Sequence, residues 1–203
     1  HTVPFPILTV PHVEENPEDR CYYCKHALFA HMKELAAERG LAAVVDGSNL
    51  DDDGDYRPGH KALKELAIVS PLHEAGMRKA DIRVLSKALG LPTWDKPSFA
   101  CLASRFPYGT ALTPEGLARV NRAEEFLMAK GFRQLRVRAH GEVARIELVP
   151  EDIPRFLEKG LREETAAYFK RIGFAYTALD LLGYRTGSLN ETLHDDAETA
   201  EKP

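Results

Sequence analysis

The segment KPSFACLASRFPYG, residues 96–109, divides the sequence into two regions with different hydrophobic patterns. Prolines near both of its ends, a closing glycine and the lack of any helical or strand period predict a loop. Within this loop, Cys101 lies between Lys96 and Arg105. Cations near a thiol favour the thiolate, which is the form that attacks electrophiles or binds metal. The alternative for a single loop cysteine is a small buried hydrophobic side chain.

The region before the loop has the pattern of an α/β sheet. It reads as a helix over 20–39, a buried parallel strand over 41–46, a second strand over 68–72 and a helix over 79–89. The apolar stripes of the two helices are expected to be Leu28, Met32, Leu35 and Ala36, and Ile82, Leu85 and Leu89. The polar run DGSN, residues 46–49, follows the first strand, where open α/β sheets bind ligands. We therefore predict the later part of a doubly wound, Rossmann-like α/β domain over residues 1–110.

The pattern after the loop predicts a small α+β domain over residues 111–190. Thr113 can cap a helix that starts at Pro114 and runs to about residue 130, with Leu117, Val120, Ala123 and Leu127 inward. Alternating strands over 132–138 and 143–149 flank a turn at His140 and Gly141, which predicts a hairpin. One or two helices over 150–172 and a strand over 174–182 follow. The polar, acidic residues 191–203 predict a disordered tail.

One face of the predicted hairpin carries Arg136, Arg138 and Arg145. A guanidinium binds phosphoryl oxygens in pairs, so these side chains could bind a phosphate. The alternative is a solvated sheet face on which Glu147 pairs with the arginines.

The three cysteines allow several kinds of site. Cys21 and Cys24 form a C-x2-C motif at the start of the first predicted helix, and Cys101 lies far downstream. Structural zinc needs a fourth ligand, for which His26 is the candidate. A three-cysteine [4Fe-4S] cluster would leave one iron open to bind substrate or sulfide. Cys101 could also act alone as a sulfur donor or nucleophile, or all three thiols could be inert.

The composition excludes several classes of protein. The chain has 203 residues, 44% hydrophobic and 29% charged, with a net charge of -4, so no global field attracts nucleic acid. It contains no apolar run long enough to span a membrane, and we expect no secretory signal. Three cysteines are few for a disulfide scaffold, and we expect a reducing, cytoplasmic location.

Five blocks of the sequence together resemble a known family. They are RCYYCK (20–25), DGSN (46–49), DYRPG (55–59), KPSFACLASRFPYG (96–109) and GYRTGS (183–188). In this order they resemble the LarE-type ATP-dependent sulfur transferases of the PP-loop pyrophosphatase superfamily, over residues 16–190.

The resemblance implies a function and a set of roles. The implied substrate is a pyridinium-3,5-biscarboxylate mononucleotide, whose carboxylates are adenylated and become thiocarboxylates for the nickel-pincer cofactor of lactate racemase. In one version of the family the residue matching Cys101 gives up its own sulfur, and in the other Cys21, Cys24 and Cys101 hold a [4Fe-4S] cluster. Because all three cysteines are present, the chain resembles the cluster type. Arg136 and Arg138 are the candidates for the substrate phosphate, Arg105 and Arg185 are further binding candidates, and Glu125, Glu147 and Asp180 are acid–base or polar support. A hexamer formed through the C-terminal domain, and partnership with other enzymes of the cofactor's synthesis, are also implied.

One feature of the family is missing from the sequence. Such proteins open with a Ser-Gly-Gly-x-Asp-Ser loop that binds the pyrophosphate of ATP, and no such loop occurs here. We therefore expect a chain that begins after this loop, with the site for ATP and Mg²⁺ mostly outside it, in preference to a chain that has lost activation by ATP. Two alternatives remain at this point: a tRNA-thiolating enzyme of the same superfamily, which the net charge disfavours, and a zinc-stabilised, non-catalytic oligomerisation module.

Overall fold

The computed structural model describes residues 2–53 and 58–190. The described residues form two compact units, one up to Lys96 and one from Pro97 onward. Both helices and strands are present, which is compatible with the predicted α/β class. The assignment of domains to 1–110 and 111–190 stays a prediction, and the predicted tail, residues 191–203, lies outside the described residues.

The described part of the first unit consists mainly of helices. They are α1 (Arg20–Glu38), α2 (Gly59–Glu65), α3 (Pro71–Glu74) and α4 (Lys79–Ala88), with single 3-10 turns at Ile7–Thr9 and Leu50–Asp52. The predicted helices over 20–39 and 79–89 are therefore confirmed, each ending one residue earlier than expected.

The predictions of a buried strand over 41–46 and of a second strand over 68–72 are wrong. Residues 41–46 and 68–72 meet only in one parallel bridge between Val45 and Val69, and both valines are exposed. An apolar run shows that a strand can be buried, but burial also needs neighbouring strands and helices that cover both faces. Three helical side chains expected to face inward are exposed, because no neighbouring element covers them in the described part of the chain. They are Met32, Leu85 and Leu89.

The second unit contains a mixed three-stranded sheet. Its strands are β1 (Leu135–His140), β2 (Val143–Leu148) and β3 (Tyr176–Leu179), and its helices are α5 (Pro114–Ala129), α6 (Ile153–Phe156) and α7 (Leu161–Arg171). Strands β1 and β2 form the predicted antiparallel hairpin, and β3 pairs parallel to β2. The predicted start of α5 is confirmed, because the Thr113 hydroxyl accepts a hydrogen bond from the Gly116 amide at 3.0 Å.

The core of the second unit lies between the hairpin and α5. Its fully buried side chains include Val120, Ala123, Leu127, Phe132, Leu135, Val137, Ile146, Leu148, Phe169 and Phe174. The opposite face of the hairpin is also buried, since Arg136, Arg138 and Glu147 are each less than 7% exposed. The alternative of a solvated sheet face is therefore wrong for these three residues, but the pairing of the arginines with Glu147 that it included is confirmed for Arg138 and Arg145.

Candidate functional site: an arginine network around the Cys101 loop

The Cys101 loop, residues 97–109, contains one 3-10 turn at Leu102–Arg105. The turn closes on the carbonyl oxygen of Cys101, which accepts from the Ser104 amide at 3.0 Å and the Ser104 hydroxyl at 2.7 Å. Cys101 itself is exposed and forms no disulfide. Hydrogen bonds therefore fix the backbone of Cys101, while the residue as a whole remains exposed to solvent.

Arg105 joins this turn to helix α5. Its Nε and Nη2 donate to the two carboxylate oxygens of Glu124 at 2.7 and 2.8 Å, and both side chains are almost fully buried. Its Nη1 donates to the carbonyl oxygens of Ala100 and Cys101 at 3.0 and 3.2 Å. Such a bidentate ion pair fixes the plane of the guanidinium. It thereby also fixes the positions of the loop carbonyls to which the guanidinium donates.

Arg138 holds the end of the same turn from strand β1. Its Nε and Nη2 each donate to one oxygen of Glu147 at 3.0 Å, and Nη1 donates to the carbonyl oxygen of Ser104 at 2.6 Å. Nη2 also donates to the Ser188 hydroxyl at 2.8 Å. Arg138 therefore already has a buried counter-charge in the folded chain.

Arg136 holds the beginning of the loop without such a counter-charge. It donates to the carbonyl oxygens of Ser98 and Leu135, each at 2.7 Å, and lies near the rings of Phe99 and Tyr184. Among the described residues no carboxylate forms an ion pair with it. Burial, followed by the charge of Arg105, lowers the pKa of Arg136. An anion at this position would stabilise the charged guanidinium.

The network continues outward along β2 and past β3. Arg145 bridges Glu147 at 3.0 Å and Asp180 at 3.1 Å, and Arg185 lies 3.7 Å from Asp180. The backbone turns sharply beside this region at Gly183, where a Cβ atom would lie 2.5 Å from the Leu148 carbonyl oxygen. Among the described residues, the network contains five arginines and three carboxylates, an excess of two positive charges next to the Cys101 loop. This region is suited to binding a small anion.

The structure brings most of the predicted residues of this unit together. Those in the network are Cys101 through its backbone, Arg105, Arg136, Arg138, Glu147, Asp180 and Arg185. Glu125 is not among them, because it is exposed and accepts from Asn121 on its own helix. Its neighbour Glu124 takes the buried place, since adjacent helical residues point in different directions. The signal was present in the sequence: Glu124 lies on the apolar stripe of Val120, Ala123 and Leu127.

The C-x2-C pair lies in the first unit, at the start of α1. Cys21 and Cys24 are half-buried on the first turn, and Arg20 donates from Nη2 to the Cys21 sulfur at 3.6 Å. His26, the candidate fourth zinc ligand, lies 4.0 Å from Glu65. Because the structure divides the three cysteines between its two units, the metal-ligand set stays a prediction.

The DGSN motif forms a cluster of hydrogen bonds around the Asp46 carboxylate in the first unit. The Asp46 carboxylate accepts from the Ser48 amide at 3.2 Å, the Ser48 hydroxyl at 2.6 Å and the Ser70 hydroxyl at 2.6 Å. Burial raises the pKa of Asp46, but these hydrogen bonds outweigh it and the net shift is downward from 3.8. The motif therefore ties together the two segments that meet at the Val45–Val69 bridge.

Comparisons with known proteins give three informative relatives, although no family model matches the chain. An uncharacterized protein of Synechocystis sp. is 48% identical over 183 residues, which are 90% of this chain and 68% of that protein. The pyridinium-3,5-bisthiocarboxylic acid mononucleotide synthase of Lactiplantibacillus plantarum is 41% identical over 186 residues, 92% of this chain and 67% of the synthase. An uncharacterized protein of Methanocaldococcus jannaschii is 30% identical over 180 residues, 89% of this chain and 69% of that protein. In the part of the chain that the structure describes, no helix is both long and apolar enough to cross a membrane.

Proposed function

Because the chain belongs to the LarE family, that of the pyridinium-3,5-bisthiocarboxylic acid mononucleotide synthase, we propose that it is a sulfur transferase acting on the same kind of mononucleotide. In this proposal the substrate is pyridinium-3,5-biscarboxylate mononucleotide. Each carboxylate becomes an acyl-adenylate at the expense of ATP, with release of pyrophosphate. Sulfur then attacks the acyl carbon, AMP leaves, and a thiocarboxylate remains. The product would serve the nickel-pincer cofactor of lactate racemase.

The observation that carries the proposal is the contact between the arginine network and the Cys101 loop. Three arginines donate to four carbonyl oxygens of this loop, those of Ser98, Ala100, Cys101 and Ser104. The proposed substrate carries negative charge on its phosphate and its carboxylates. The network, in its described part, has more arginines than carboxylates and therefore a net positive charge. An anion bound there would lie next to the loop that carries an exposed thiol.

Within this network Arg136 has the most to gain from a substrate phosphate. Arg138 is already paired with Glu147, whereas the two carbonyl acceptors of Arg136 are neutral. Hydrogen bonds to a charged acceptor are roughly twice as strong as those between neutral groups. We assign Arg136 and Arg138 to the phosphate, with Glu147, Asp180 and Arg185 holding the surrounding charges in place.

The sulfur source has two possible forms, and both use Cys101. In the first, the Cys101 thiolate attacks the acyl-adenylate to form a thioester, a base removes the Cys101 Cα proton, and the Cβ–S bond breaks. The sulfur leaves in the thiocarboxylate, and Cys101 becomes dehydroalanine. Asp180, which lies in the network, is the proposed acid–base residue, whereas Glu125 lies outside it on the exposed side of α5.

In the second form, Cys21, Cys24 and Cys101 would bind a [4Fe-4S] cluster. Thiolates are the ligands that such clusters require, and the C-x2-C pair on the first turn of α1 fits this donor set. A bound cluster would supply an iron with an open position for an extra sulfide. We favour this form because the chain has all three cysteines.

Metal analysis and intact mass together test the proposal. We expect anaerobically purified protein to contain iron and labile sulfide, and its mass to be unchanged after turnover. A mass loss equal to one molecule of hydrogen sulfide would establish the sacrificial form instead. Zinc in place of iron, together with no mass change after incubation with activated substrate, would contradict both forms.

The exposed apolar side chains around strand β3 support a proposal about the oligomeric state. In the described part of the chain, strand β3 is an edge of the sheet. Large apolar side chains are exposed on this strand and just after it, those of Tyr176, Leu181 (90%) and Leu182. Exposed apolar surface at a strand edge favours association with another chain. We therefore propose a homo-oligomer, with the resemblance implying a hexamer, that works in the cytoplasm with the other enzymes of cofactor synthesis.

A further inference from the structure

Glu124 is a buried carboxylate that ties three segments of the second unit together. It is 3% exposed, and each of its oxygens accepts from Arg105. The Oε1 atom also accepts from the Val137 amide at 2.9 Å. Glu124 therefore links helix α5, strand β1 and the turn that follows Cys101.

Arg105 connects Glu124 to Cys101. Arg105 is 1% exposed, and its Nη1 bonds to the carbonyl oxygens of Ala100 and Cys101 and to the Ser104 hydroxyl at 3.0 Å. The orientation of this nitrogen depends on Glu124, because a planar guanidinium held at two nitrogens leaves the third with one direction. We propose that Glu124 positions Cys101 for sulfur transfer by acting through Arg105, an inference that rests on the proposed function.

A contribution to stability does not by itself explain why Arg105 and Glu124 form a buried ion pair. A buried ion pair pays a large desolvation penalty, and well-packed apolar side chains of similar volume are often as stabilising or more so. A pair kept for packing alone would not need a third nitrogen aimed at the carbonyl oxygens of an exposed cysteine. The chemistry of Cys101 does need it, because attack on an acyl carbon depends on the placement of the attacking atom.

Two variants separate positioning from stability. Glu124→Gln keeps the shape of the side chain and an acceptor for Val137 but removes the charge. The double variant Arg105→Met, Glu124→Leu replaces the pair by apolar side chains. It should keep the fold but lower the melting temperature, because the buried Val137 amide loses its acceptor. Glu125→Gln, one position along the same helix and exposed, is the matched control for loop stability.

Two readouts follow the loop and the reaction separately. Chymotrypsin cleavage after Phe99, an exposed residue of the loop, reports local opening when compared with cleavage elsewhere in the chain. In the double variant we expect this cleavage to accelerate about tenfold relative to other sites. With the acyl-adenylate of the mononucleotide as substrate, we expect kcat to fall about a hundredfold while KM stays unchanged. Glu124→Gln should show the same two effects at smaller size, and Glu125→Gln should leave the cleavage rate unchanged.

The outcomes distinguish this proposal from the proposed function. A folded double variant with wild-type cleavage after Phe99 and wild-type kcat would overturn the positioning role, as would loss of the fold in both variants. If the wild type forms no thiocarboxylate, the proposed function fails. The cleavage comparison would then still decide whether Glu124 holds the loop.

Discussion

At the scale of single residues, Arg136 is the side chain whose removal should affect substrate binding most selectively. It is buried without a carboxylate partner among the described residues, so a bound phosphate would be its main counter-charge. We expect Arg136→Ala to weaken binding of the mononucleotide by about 1.5–3 kcal/mol, the range for hydrogen bonds to charged groups. Isothermal titration calorimetry with the biscarboxylate mononucleotide measures this directly.

The matched control for that residue is Arg119. It also donates to two backbone carbonyl oxygens, those of Gly173 and Gly141, and also lies over an aromatic ring, that of Phe174. Arg119→Ala should therefore cost stability without weakening the binding of mononucleotide. Equal losses of affinity in the two variants would show that Arg136 acts on the fold and not on the phosphate.

At the scale of secondary-structure elements, the corner after β3 depends on Gly183. Its φ is +70°, and an added Cβ would lie 2.5 Å from the Leu148 carbonyl oxygen, which accepts from the Tyr184 amide at 2.7 Å. Gly183→Ala should lower the free energy of unfolding by about 3 kcal/mol, through backbone strain and displacement of β2. Gly187→Ala is the control, because Gly187 has a φ of +82° but open space around it, and should cost about 1 kcal/mol. Urea denaturation compares the two, and equal losses would mean that the contact with Leu148 is relieved at little cost.

The elements that sequence patterns predict well are those fixed by local interactions. Helix α5 begins where Thr113 caps it, and the β1–β2 hairpin follows from alternation on either side of Gly141. The burial predicted for the apolar run over 41–46 is wrong, because burial depends on neighbouring strands and helices that no local pattern encodes. The arginine network was foreseen only in part. Arg136 and Arg138 are visible in the strand pattern, whereas their bonds to loop carbonyls are contacts between residues 34 and 38 positions apart.

At the scale of the whole molecule, the hydrogen bonds to the Asp46 carboxylate should make the stability of the first unit depend on pH. The folded pKa of Asp46 lies below its ordinary value of 3.8. Its stabilising contribution is therefore complete above the unfolded pKa and is lost as pH falls through the folded pKa. The difference in unfolding free energy between wild type and Asp46→Asn should be largest at about pH 6 and shrink towards about pH 3. Fluorescence of Trp94, the single tryptophan and part of the first unit, reports this unfolding. A difference that stays constant with pH would show that Asp46 does not titrate with folding.

The central claim is that this chain transfers sulfur to an activated carboxylate by means of Cys101. The most direct test supplies the acyl-adenylate of pyridinium-3,5-biscarboxylate mononucleotide to anaerobically purified protein and detects the product by mass spectrometry. This substrate makes the result independent of ATP binding. We predict a thiocarboxylate, in which sulfur has replaced one carboxylate oxygen, with the wild type and none with Cys101→Ala. Hydrolysis to the carboxylate alone, or equal thiocarboxylate from both proteins, would contradict the account.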